Sequence, residues 1–189
     1  AVLSAPLLDV ITEPFPKAVA RNMARFAKMG GQMKKYVPGG GDWTNGKDQF
    51  EDNRLTGDPE RFAVMPDLFK NNKNLQIGDA TYGWVYHAYE SIDKITEGFL
   101  KKIQTPLLMG TSGQDKVVDT QAAVTACQTL PDCRRVDFPD ARHELWMEQD
   151  KHRQKWLESI DTFLGGLGLK PAATPKKPNP HKAANGPRF

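Results

Sequence analysis

Asp115 and His143 are the side chains of this 189-residue sequence whose types and placement could carry out bond-breaking chemistry, because each follows a short apolar run. A neutral imidazole can take a proton from a weak nucleophile, and a carboxylate beside it fixes the tautomer and stabilises the cation that forms. Asp119 competes with Asp115 for the acid role, but it stands directly before a helical pattern, where a carboxylate accepts hydrogen bonds from the first exposed amides. The acid role therefore goes to Asp115. The third member of such a constellation would be a serine in a G-x-S-x-G turn, and Gly110-Thr-Ser-Gly-Gln114 departs from that pattern, with Gln114 in place of the second glycine. Ser112 also precedes Asp115 by too few residues for both to flank one imidazole. It reads as a loop residue, and Ser4, Ser91 and Ser159 fit no better. Glu144, next to His143, either orients the loop or tunes the base, or is simply a solvent-exposed acid.

Two side chains this far apart in sequence meet most simply at the carboxyl edge of a parallel sheet, where the loops following neighbouring strands converge. The patterns around them support that arrangement. Val2 to Ala5 reads as a short buried strand ended by Pro6. Leu107 to Gly110 and Arg135 to Phe138 read as further strands, separated by a helix from Thr120 to Leu130 and followed by a helix from Glu148 to Leu164. Between the first strand and the second lie an imperfect amphipathic helix near Pro16 to Tyr36, a loop-like glycine-rich stretch, and a helix opened by Asp58 and Pro59. An aromatic segment from Gly78 to Tyr89 places Trp84, His87 and Ala88 on one helical face. A separate element is expected from Ser91, its N-cap, to Leu100. Gly39-Gly-Gly41 is similar to the glycine-rich oxyanion loop of some esterases, but no histidine precedes it, which makes it a connection. His87 lacks partners at metal-ligand spacing, so no metal site and no cofactor are expected.

Composition narrows the partners. The formal charge of +3 comes from a C-terminal tail with Lys170, Lys176, Lys177, Lys182 and Arg188 and no acid, which leaves 21 of the 26 basic residues against all 23 acidic ones. No basic stripe with interleaved aromatics exists, which excludes nucleic acid as the expected partner. No apolar run approaches the roughly 18 to 20 residues of a membrane span. Cys127 and Cys133 are expected as reduced thiols, a local bridge requiring that the end of the intervening helix bring them together.

With these residues in place, the chain resembles the lysophospholipase and monoacylglycerol-lipase branch of the α/β hydrolases, a branch grouped with serine aminopeptidase-like sequences. The resemblance rests on the order and intervals of Leu3-Ser-Ala-Pro6, Thr81-Tyr-Gly-Trp-Val85, Asp115-Lys-Val-Val-Asp119 and Arg142-His-Glu-Leu145. It implies an α/β-hydrolase fold represented by the C-terminal part of a mostly parallel sheet with an inserted helical lid, the N-terminal half being absent. Residues 1–8 would be a core strand, 9–90 the lid, 91–169 the C-terminal part of the core, and 170–189 a flexible tail rich in proline and lysine. It further implies catalytic roles for Asp115 and His143, substrate contact by Tyr82 and Trp84, and a nucleophilic serine upstream of Ala1. The expected substrate is a small lipid ester, cleaved through an acyl-enzyme, and the expected partner is the N-terminal half of the same protein, without which the fragment should be inactive. A cytoplasmic location peripheral to the inner membrane, with transient contact with the membrane surface, goes with that substrate. Two alternatives keep the fold: an epoxide hydrolase or dehalogenase-like enzyme with an upstream aspartate as nucleophile, and a non-catalytic lipid-binding homologue.

Overall fold

Three short segments build a parallel sheet, and a computed structural model describes it together with its helices over residues 1–44 and 49–169. The strands are β1 (Val2–Ser4), β2 (Leu107–Ser112) and β3 (Cys133–Phe138), in the order β1-β2-β3 with both pairings parallel. Leu3 lies opposite Met109, and Gly110 opposite Val136. β2 is buried along its whole length because it has a strand on each side and a helix on each face. Its side chains divide between two cores. Leu107 and Met109 pack with Leu8, Leu100, Ala123, Ala126 and Leu130 on one face, while Leu108 packs with Phe138, Leu145, Trp156 and Phe163 on the other.

Among the described residues five α-helices accompany the sheet: α1 (Lys17–Met29), α2 (Pro59–Asn71), α3 (Tyr82–Lys94), α4 (Thr120–Thr129) and α5 (Asp150–Gly166). The first three fall between β1 and β2, whereas α4 connects β2 to β3 as the crossover that a parallel pair requires. α5 covers the second core with Trp156, which has no exposed surface. Gly110 is needed at that contact, because a Cβ there would meet Leu145 Cδ1 at 2.6 Å and Trp156 Cη2 at 3.1 Å. No described helix is long and apolar enough to cross a membrane.

Several sequence expectations are corrected here. Ser91 does not cap a new helix: α3 runs through it, and the cap is Thr81, whose Oγ1 accepts a hydrogen bond from the Trp84 amide at 3.2 Å. The hydroxyl ten residues upstream wins because the aromatic segment is itself helical and continuous with the next. Cys127 and Cys133 are not free thiols but form a disulfide, with their Cα atoms 5.3 Å apart. The end of α4 and the start of β3 face each other across the turn between them, which meets the geometric condition for a bridge. The tail from Lys170 to Phe189 lies outside the described residues.

Candidate active site

The hydrogen-bond ladder between β2 and β3 continues past the strands, and this extension places the candidate residues. Beyond Ser112, the Gly113 amide donates to Phe138 O at 2.9 Å and the Gln114 amide to Ala141 O at 3.0 Å. Gly113 allows the approach, since a Cβ there would lie 2.8 Å from Pro139 Cα and closer still to its carbonyl oxygen. The loop after β2 is also held from the β1 side: Val10 bridges Val118, the Ile11 amide donates to Val117 O, and the Asp119 amide donates to Asp9 O. Asp119 caps α4, accepting from the Gln121 amide, and its other oxygen receives the Lys17 ammonium at 2.6 Å. That capping bond leaves Asp115 as the carboxylate aimed elsewhere.

Both carboxylate oxygens of Asp115 are engaged. Oδ1 accepts from the Val117 and Val118 amides at 2.8 and 3.0 Å, and Oδ2 lies 2.9 Å from His143 Nδ1. Its side chain is 1% exposed, and that of His143 is 18% exposed. Burial disfavours both charges, yet the hydrogen bond and attraction between the two groups prevail. They hold the Asp115 carboxyl below the usual carboxylate range and His143 above the ordinary imidazole value. The two loop amides add to the effect on Asp115, and the neighbouring Glu144 charge adds to that on His143. With Nδ1 bound to Asp115, Nε2 is the nitrogen left for a proton transfer.

Tyr82 and Trp84, at the start of α3, line a largely apolar cavity of about 620 Å³ with Val10, Phe15, Met23 and Val117. His143 is not part of its lining, and Lys116 and Val117 connect it to the Asp115 loop. A second, more polar cavity of about 830 Å³ includes Asp115, Gln114 and Arg142. Arg54 and Lys116 border both cavities. Gly39 and Gly40 also line the first, and the Gly41 amide is tied to Asp79 Oδ2. His87 packs against the Tyr86 ring. Among the described residues no group of His, Cys, Asp and Glu is arranged to hold a metal ion. None of Ser4, Ser91, Ser112 and Ser159 is hydrogen-bonded to His143; Ser159 bonds back to Lys155 O within α5, and the buried Ser4 and Ser112 hydroxyls have no partner.

Sequence reasoning missed Glu148, Arg142, Thr56 and Asn53, which surround the His143 loop. Their bonds run largely to backbone atoms of a distant segment, for which spacing offers no signal.

Comparison with known proteins adds to this geometry. The sequence model of the family described as "Serine aminopeptidase, S33" matches residues 1–150. A protein of Haemophilus influenzae named "Probable lysophospholipase L2" is 26% identical over 165 residues, covering 87% of this chain and 51% of its own length. The structure of a soluble variant of monoglyceride lipase from Saccharomyces cerevisiae, in complex with a substrate analog, aligns with a TM-score of 0.61 at 14% identity, covering 87% of this chain and 55% of that one. The monoacylglycerol lipase of Paleococcus ferrophilus aligns with a TM-score of 0.61 at 13% identity, covering 87% and 58%. These structures show the fold, that of an α/β hydrolase. The chain spans about half the length of the relatives it matches.

Proposed function

The chain belongs to the serine aminopeptidase S33 family of hydrolases, and from that premise we propose that it supplies the acid and base of a serine ester hydrolase acting on lysophospholipids or monoacylglycerols. The observation that carries the reading is the 2.9 Å contact between Asp115 Oδ2 and His143 Nδ1 at the carboxyl edge of adjacent parallel strands. In this reading His143 Nε2 removes the hydroxyl proton of a serine that lies upstream of Ala1 in the complete protein. The serine attacks the ester carbonyl, and the protonated imidazole gives its proton to the departing alcohol. A water molecule then adds to the acyl-enzyme with His143 again as base, releasing the fatty acid and the free serine. Asp115 holds the tautomer and stabilises the imidazolium throughout.

The apolar cavity supports a lipid substrate: its volume falls in the range of small-molecule sites, and Tyr82 and Trp84 offer flat surfaces to an acyl chain. Arg54 and Lys116 border both cavities together with Glu13, a rim of mixed charge that suits a polar head group. The names of the Haemophilus and yeast proteins fit the same substrate class. The segment 9–90 then acts as a lid over the site.

The test is reaction of the complete protein with a fluorophosphonate probe. Labelling of one serine, lost in His143→Ala, is the expected result. Epoxide or haloalkane turnover without labelling would point to an aspartate nucleophile, and binding of lipid esters with neither labelling nor turnover would point to a non-catalytic homologue.

A further inference from the structure

We propose that Glu148 is a positioning residue for His143, a buried carboxylate that fastens the His143 loop to residues 53–58. The proposal rests on the catalytic reading of His143 given above. Glu148 is 1% exposed, and no ion pair engages it among the described residues. Three main-chain amides satisfy it instead. Oε1 accepts from Gly57 at 2.9 Å and from Arg142 at 2.8 Å, and Oε2 accepts from Gln149 at 3.0 Å. The Arg142 amide immediately precedes His143, and Gly57 belongs to a segment some 90 residues earlier, so one carboxylate joins two distant stretches of backbone at the site.

The surrounding bonds point the same way. The Glu144 amide donates to Leu55 O at 2.7 Å, and the Thr56 hydroxyl, fully buried, donates to Met147 O at 2.6 Å. Arg142 Nη1 donates to Asn53 O and Thr56 O, each at 3.1 Å, and Gln149 Nε2 donates to Gly57 O at 3.0 Å. The loop from Pro139 to Gln149 contains no helix or strand. Beyond the ladder bond at Ala141, its conformation therefore depends on this clamp. A carboxylate is suited to the centre because it is an acceptor only and can receive several N–H groups at once. Glutamine has nearly the same shape but directs an NH₂ group toward at least one of these donors.

The test uses the complete protein and compares wild type, Glu148→Gln and His143→Ala. Kinetic constants and the thermal midpoint are read for each, and the low-field proton resonance of His143 Nδ1–H for wild type and Glu148→Gln. Displacing a catalytic group by about 1 Å costs on the order of 10²-fold in rate. Glu148→Gln is accordingly expected to lower kcat by roughly 10- to 100-fold, to leave KM nearly unchanged, and to shift or broaden the His143 resonance in a folded protein. Thr56→Val, which cuts the clamp from the other side without altering a charge, should do the same to a smaller extent. It replaces Glu148→Gln as the deciding variant if that protein fails to fold. Unchanged kcat and an unchanged resonance in the folded deciding variant overturn the positioning role while His143→Ala stays inactive. Normal turnover by His143→Ala instead overturns the catalytic reading, and the resonance alone then decides whether Glu148 positions the ring.

Discussion

At the scale of single residues, the Asp115–His143 pair sets the pH response under the proposed reading. In that reading His143 must be neutral to act as base, and Asp115 holds its pKa above the ordinary imidazole value despite burial. In the complete protein, ester turnover should therefore rise with pH along a limb above about 6.5. Asp115→Asn should lower kcat by about 10⁴-fold, as loss of the orienting carboxylate does in serine proteases, and should move that limb to lower pH. A pH–rate profile of the two proteins checks both. The same pair has a signature in stability. His143, raised on folding, contributes fully below its unfolded value and loses that contribution as pH rises through the folded one. Asp115, depressed on folding, contributes fully above its unfolded value and loses it as pH falls through the folded one. The pair should thus stabilise most between about pH 4 and 6.5. Gly113→Ala belongs to this scale too: the added methyl would strike the Pro139 backbone. It should cost about 1 to 3 kcal/mol in denaturant unfolding and lower kcat by parting the two loops.

At the scale of elements, burial separates contacts that matter from those that decorate. Trp156 on α5 lies wholly within the second core, against Phe138 and Trp146. Trp156→Ala should cost about 3 to 5 kcal/mol by denaturant titration. Lys17 joins α1 to Asp9 and Asp119, but its side chain is 43% exposed and solvent screens the pairs. Lys17→Ala should therefore change stability by about 1 kcal/mol or less. The sheet and the helices around it were legible because apolar periodicity reports burial directly: Leu107 to Gly110 and Arg135 to Phe138 fall inside the observed strands. Asp58 before Pro59 marked α2 because its carboxylate does cap the Glu60 and Arg61 amides. The start of α3 was misplaced because Thr81 and Ser91 are both competent caps and only the folded chain chooses between them. Asp115 and His143 could be named because parallel strands deliver their following loops to one edge. The clamp around Glu148 was not legible, since a carboxylate bound to amides leaves no residue pattern at the amides' positions.

At the scale of the whole molecule, β1 pairs with β2 on one side and with no described strand on the other, and the chain spans about half of its relatives. Under the proposed reading, the 189-residue chain expressed alone should show no ester turnover, while the complete protein should. A standard chromogenic ester assay on both compares them, and hydrolysis by the isolated chain would place the nucleophile within it. The disulfide has its own consequence. Cys133 opens β3 at the amino end of the strand, whereas His143 follows the carboxyl end, so the covalent brace and the Asp115–His143 pair occupy opposite rims of the sheet. Closing so short a loop contributes roughly 2 kcal/mol in the chain-entropy account. A thiol reductant in the buffer should accordingly bring forward the heat-induced melt yet leave catalysis at low temperature untouched, which makes shelf life, and not rate, the property that reducing conditions govern.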